Sequence, residues 1–182
     1  MRKIWIGLTS AAVLLTGVQL SAQSMKPVTL GIAVGAAIPI GDFANAYNTG
    51  YNGTVGLGLS SVGSPVGLRF EGMYNKFLGR NDIGGDPHAN QPDSRVIAGT
   101  ANLVYSLPGQ GIRPYLIGGG GYYSLKVDLT NAESVNKFGI NGGIGAMFPL
   151  SGFNTYVEAR VHNVFTDVSS TRFIPVTVGI LF

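Results

Sequence analysis

RFIPVTVGILF, Arg172 to Phe182, closes the sequence, and its reading decides the fold. Ile174, Val176, Val178, Ile180 and Phe182 recur at every second position, opposed by Pro175, Thr177, Gly179 and Leu181. Side chains alternate across a strand, so this spacing predicts a β-strand with one wholly apolar face. Termini of water-soluble domains tend to be polar and frayed. An apolar face here needs an apolar cover.

Working back from that strand, the chain divides into eight alternating segments, approximately 27–38, 53–61, 66–77, 95–107, 114–126, 137–148, 154–165 and 172–182. Each is near the length that a tilted strand needs to cross a bilayer. Ser61–Pro65, Pro108–Ile112 and Pro149–Phe153 read as tight Gly- and Pro-rich turns. The links between them, Pro39–Asn52, Leu78–Ser94, Val127–Asn136 and Thr166–Thr171, read as longer. Long and short connections in alternation predict that all the long links leave from one end of a barrel, as in bacterial outer-membrane barrels.

The faces repeat the pattern of the last strand. Val28, Leu30, Ile32, Val34, Ala36 and Ile38 oppose Gly31, Ala33, Gly35 and Ala37; Val66, Leu68, Phe70 and Tyr74 oppose Arg69, Glu71, Met73 and Asn75. Val157, Ala159, Val161 and Phe165 oppose Tyr156, Glu158, Arg160 and His162. Alternation by itself permits either face to be inside: a lipocalin-like barrel turns its apolar rows inward, a membrane barrel turns them out. Lipid is favoured by the rows of Gly opposite the apolar rows, since an eight-stranded lumen has room only for side chains. It is favoured too by aromatic residues near the segment ends. Tyr105, Tyr115, Phe148 and Phe182 are expected in a girdle near the short turns, and Tyr74, Tyr123, Phe138 and Phe165 near the long links.

Composition agrees. The 182 residues are 45% hydrophobic and 12% charged, with 28 Gly and no Cys. Arg2 and Lys3, an apolar core from Ile4 to Leu15 and small residues thereafter predict a signal peptide over 1–24, cleaved after Ala22 or Ser24. Residues 25–182 form the expected barrel domain. Beyond the signal no apolar run is long enough for a transmembrane helix. Removing Arg2 and Lys3 leaves 10 of the 12 basic residues against 9 acidic, which gives no reason to expect nucleic acid.

With these features the chain resembles the small outer-membrane β-barrel family, the eight-stranded OmpA- and OmpX-like barrels. The resemblance covers essentially the mature chain and is carried by the signal, GAAIPIGDFANAY, RPYLIGGGGYY, FGINGGIGAMFPL and VTVGILF. It implies an all-β, closed, antiparallel eight-stranded transmembrane barrel in the outer membrane of a Gram-negative bacterium, both ends of the chain periplasmic. It implies that Val176, Val178, Ile180 and Phe182 form the signal read by the outer-membrane assembly machinery. Outer-membrane lipids and lipopolysaccharide are the other implied partners. Cell-wall anchoring is not expected, since no binding extension follows Phe182 in this sequence.

Segments three and seven face each other across an eight-stranded closure. Arg69, Glu71, Glu158 and Arg160 are therefore expected to meet in the lumen, since a buried charge without a partner is expensive. Asn102, Asn141, Thr100 and Thr177 are expected to add hydrogen bonds, and His162 to share their face. The network reads as a plug, with a gate for small solutes as the alternative. No nucleophile stands beside His162, and the serines nearest it in sequence, Ser169 and Ser170, fall in a link; catalysis is not expected. His88 reads as solvated. The acids Asp82, Asp86 and Asp93 match no calcium-loop spacing, and no cofactor or metal is expected. Asp42 is expected to cap one helical turn that carries Phe43 and Tyr47 over the barrel mouth. The function so implied is a surface-exposed membrane anchor presenting four external loops whose partner the sequence does not name. The alternatives are a narrow channel, a lipid-modifying enzyme and a soluble binder.

Overall fold

The computed structural model describes residues 28–61, 63–81, 91–108, 111–129, 132–150, 153–166 and 170–182. The signal peptide, His88, Asp82, Asp86 and Ser169 lie outside these residues. Eight strands run β1 (Val28–Ile40), β2 (Tyr47–Ser60), β3 (Val66–Gly79), β4 (Ser94–Ser106), β5 (Arg113–Val127), β6 (Val135–Pro149), β7 (Asn154–Val164) and β8 (Thr171–Leu181). One helical turn, α1 (Phe43–Ala46), joins β1 to β2. Each strand pairs antiparallel with its sequence neighbour, and β8 pairs with β1 to close the barrel. Closure leaves no strand edge unpaired, which is what a sheet in lipid requires.

The faces follow the alternation read from the sequence. Val34 is 71% exposed, Ile144 64% and Val178 52%, whereas Ala37, Phe77 and Phe173 are fully buried. The apolar rows therefore point outward and the polar and small residues inward. No described helix is long and apolar enough to cross a membrane; strands form the wall.

Three expectations are corrected. The strands are longer than the apolar alternation, above all β2, which starts at Tyr47 rather than Gly53. The link read as Pro39–Asn52 contracts to residues 41–46, and only residues 80–93 form a long connection. A ladder of backbone hydrogen bonds continues wherever a neighbouring strand offers partners, whatever the side chains. The second correction concerns the girdles. Tyr115 is 2% exposed and Tyr123 fully buried; both point into the lumen. On β5 they share parity with Ile117, Gly119 and Gly121, the inward set, while Tyr122 at 72% exposure takes the outer position. Tyr105, Phe138, Phe165 and Phe182 do lie on the exposed outer face.

Asp42 precedes α1, but its side chain makes no capping hydrogen bond. The turn is held instead by packing: the Phe43 ring lies 4.6 Å from Tyr47 and 4.9 Å from Phe77.

Candidate functional site: the barrel lumen

Arg69 and Glu71 sit two residues apart on β3, so both point inward; Glu158 and Arg160 do the same on β7. Both strands are odd-numbered in an up-and-down barrel and run the same way. The order Arg-x-Glu on one wall therefore faces Glu-x-Arg on the other. Arg69 Nη1 lies 2.6 Å from Glu158 Oε2, and Arg160 Nη1 lies 2.5 Å from Glu71 Oε2. Two shorter-range pairs complete the circuit, Arg160 Nε to Glu158 Oε1 at 2.7 Å and Arg69 Nη1 to Glu71 Oε1 at 3.5 Å. The four charges alternate in sign around a closed ring of zero net charge.

Neutral donors saturate the acids. Tyr115 donates its hydroxyl to Glu158 Oε2 at 2.7 Å, and Asn102 donates Nδ2 to Glu71 Oε2 at 2.9 Å. Asn141 then donates to Asn102 Oδ1 at 2.9 Å. The Arg69 guanidinium lies 5.3 Å from the Tyr115 ring and 5.5 Å from the Tyr156 ring, within cation–π range. Charge-assisted, multiply bonded pairs are the strong class of hydrogen bond, and a buried ion pair is tolerable only when its remaining lone pairs are satisfied.

Glycine makes the room. A Cβ on Gly145 would fall 2.7 Å from Tyr115 Cε2, and one on Gly179 would fall 2.7 Å from the Tyr156 hydroxyl. Those contacts are closer than carbon atoms tolerate, so β6 and β8 must carry glycine beside the two rings that flank Arg69.

Towards the end that carries α1 and residues 80–93, here the loop end, the lumen turns apolar. His162 is fully buried, stacks on Phe173 at 4.9 Å with the rings 10° apart, and shares a 2.9 Å hydrogen bond between Nδ1 and the Tyr123 hydroxyl. Beyond it Phe77, Phe173, Val96, Val164 and Met73 pack together under Phe43 and Tyr47. Asn52 donates to Asn75 Oδ1 at 2.7 Å beside this layer, and Thr177 is buried on the same inner face. At the opposite, turn end a cavity of about 400 Å³ reaches from Ser60, Ser64 and Ser106 inward to Arg69, Glu71 and Tyr156. The lumen is thus sealed at its loop end, crossed by charge at its middle and open below.

The sequence placed Arg69, Glu71, Glu158, Arg160, His162, Asn102 and Asn141 on inward faces, and the structure brings all seven into contact or adjacency. Tyr115, Tyr123 and Tyr156 also belong to the site. The signal for them was strand parity, since each is an even number of residues from an inward glycine or acid. Val176, Val178 and Phe182 lie on the outer face of β8, exposed, with Ile180 half-buried beside them. Among the described residues no three His, Asp or Glu side chains converge as a metal site would need.

The sequence matches the family described as the outer membrane protein beta-barrel domain over residues 8–182. The chain belongs to that family, and it is an integral protein of the outer membrane. No curated protein matches the sequence significantly. Among solved structures the chain is similar to Neisserial surface protein A, at 13% identity and a TM-score of 0.64, covering 85% of this chain and 96% of that one. It is similar to a major outer membrane protein from Thermus thermophilus, at 15% identity and a TM-score of 0.55, covering 85% and 98%. It also resembles the outer membrane enzyme PagL, at 16% identity and a TM-score of 0.52, covering 85% and 98%. At such identities the likeness is one of fold, and the outward apolar rows described above are the surface that meets lipid.

Proposed function

We propose that this barrel is a non-enzymatic membrane anchor whose lumen is a plug, presenting the connections at its loop end, chiefly residues 80–93, outside the cell. The reading is carried by one observation: the Arg69–Glu158–Arg160–Glu71 ring crosses the lumen with every charge countered and lies directly beneath an apolar layer. A solute path would have to break buried ion pairs and then part Phe77 from Phe173. The unequal connections favour the long one outside, as barrels of this kind carry their longer loops externally. Val176, Val178, Ile180 and Phe182 serve as the assembly signal in this reading. Catalysis is not part of it, because the one histidine in the lumen is committed to Tyr123 and Phe173.

The test is conductance in planar bilayers. Wild type is expected to give no steady channel, while Arg69→Ala with Phe77→Ala, which removes both barriers, is expected to conduct. Steady conductance in wild type would overturn the plug. A second reading, a narrow conduit gated by the same ring, is favoured by the cavity of about 400 Å³ that reaches Arg69 and Glu71 from the turn end. It predicts conductance steps in wild type that Glu158→Ala alone enlarges.

A further inference from the structure

Glycine leaves the turn end of the lumen open. Gly31, Gly56, Gly58 and Gly67 take inward positions on β1, β2 and β3 and line the cavity of about 400 Å³. Gly58 is the register partner of Thr29, and a Cβ on it would collide with the Thr29 hydroxyl. Glycine there keeps that hydroxyl clear. The volume lies within the range of small-molecule sites, roughly 300–1,000 Å³.

The wall of this cavity has polar groups that the fold does not use. Thr29 on β1, Ser60 on β2 and Ser106 on β4 form one arc of it, and their hydroxyls make no hydrogen bond among the described residues. Met147, Tyr156 and Leu181, on β6, β7 and β8, form the apolar arc opposite. Arg113 of β5 stands between the two arcs and donates Nη2 to Met147 Sδ at 3.6 Å. A thioether is a weak acceptor, and most N–H donors of the guanidinium are left over. Arg113 has no ion pair among the described residues. Residues 57–68, 103–118 and 145–157, which include the turns, contain no Asp or Glu. The two Arg and two Glu of the ring above cancel, so Arg113 gives the cavity one net positive charge. It lies two residues along β5 from Tyr115, whose hydroxyl belongs to the ring, or roughly 7 Å at strand spacing. That is about the length of one sugar ring.

We propose that this vestibule binds a small organic anion with a hydroxylated body, of the sugar acid or sugar phosphate class. Arg113 takes the carboxylate or phosphate on its planar fork, a geometry that suits both groups. Thr29, Ser60 and Ser106 bond the hydroxyls of the body, while Met147 and Leu181 meet its C–H face. Charge of one sign in a cleft with low-dielectric walls draws an anion in. The apolar seal at the loop end makes the pocket blind, so the ligand enters and leaves by the turn end. Its periplasmic address rests on the loop end being external.

Titration calorimetry of the detergent-purified protein tests the site, with heat-shifted gel mobility as the control for folding. The probes are glucuronate, glucose 6-phosphate, glucose and inorganic phosphate. One equivalent of glucuronate or of glucose 6-phosphate is expected to bind, and the tighter of the two tells whether the site is built for carboxylate or phosphate. Removing the charge from the ligand, as in glucose, or from the protein, as in Arg113→Gln, is expected to weaken binding roughly tenfold or more, through loss of a charge-assisted hydrogen bond. Ser60→Phe, which fills the mouth, is expected to abolish binding. Lys126→Gln, at the other end of β5, is expected to leave it unchanged. No binding of either anion, equal binding of glucose, or a folded Arg113→Gln variant that binds like wild type would overturn the site. Inorganic phosphate held as tightly as glucose 6-phosphate would overturn the hydroxyl-lined subsite. The address is read separately: the sequence has no Cys, so Ser60→Cys gives one thiol for a maleimide too large to cross the outer membrane. Labelling is expected only after that membrane is breached. Labelling on intact cells would overturn the periplasmic address and the external loop end, whatever the calorimetry shows.

Discussion

The middle of the lumen and its loop end are both closed, and by opposite means. At the middle, four charges satisfy each other and are satisfied by Tyr115 and Asn102. At the loop end, Phe77, Phe173, Val96 and Val164 exclude water by apolar packing, with the neutral Asn52–Asn75 pair beside them. His162 marks the boundary, one face stacked on Phe173 and its Nδ1 held by Tyr123. The difference is one of tolerance. An apolar layer loses stability by degrees as atoms are removed, while an ion-pair ring fails when one member is lost, because the partner is left as a buried bare charge. A barrel so built has a specific middle and a forgiving lid.

The sharpest way to break this contrast is Arg160→Ala. Arg160 is 4% exposed and bonds both acids, so its loss leaves Arg69 as the one cation against Glu71 and Glu158. The expected cost is about 3–5 kcal/mol, from the penalty of an uncompensated buried charge, measured by urea unfolding in lipid vesicles. Removing both members of a cross-lumen pair, as Arg160→Met with Glu71→Leu, is expected to cost less than Arg160→Ala alone. A double variant no better than the single would show that the ring's members act independently.

At the loop end Phe77→Leu keeps an apolar filler, and a loss of only about 1 kcal/mol is expected for so conservative a swap. Gly145→Ala sits between these two, at about 1–3 kcal/mol for overpacking, because the new methyl group meets the Tyr115 ring and pushes it off Glu158. The smallest effect belongs to the rim. The Gly79 N–H, at 2.9 Å, and Lys76 hold the Asp93 carboxyl below its usual range. A depressed folded value means stability that is present above the unfolded carboxylate range and lost as pH falls through the folded value. Asp93→Asn is therefore expected to flatten the acid limb of the unfolding midpoint below about pH 4 while leaving neutral pH nearly unchanged. High salt should weaken the rim pairs and spare the buried ring.

These outcomes bear on what could be read in advance. The ring was legible because charge on the small-residue face of a strand is conspicuous, and because the order Arg69-x-Glu71 mirrors Glu158-x-Arg160 at a constant offset of 89 residues. The apolar lid was legible only in part, in Phe43 and Tyr47 over the mouth. Tyr115 and Tyr123 near strand ends look like girdle residues, and only counting parity along β5 from Gly119 and Gly121 turns them inward. The first connection was misjudged for a related reason: residues 47–52 are polar and Gly-containing, which reads as a link, yet β1 and β3 supply backbone partners on both sides.

Alternation of period two, turn chemistry and glycine content determined on their own that this chain is a barrel with its apolar side outward. Those signals are local, each strand carrying its own two faces. Where the strands end and which aromatics seal the lumen were decided only by tertiary structure. Register between strands is set by neighbours distant in sequence, and a shift of one residue turns every side chain to the other face.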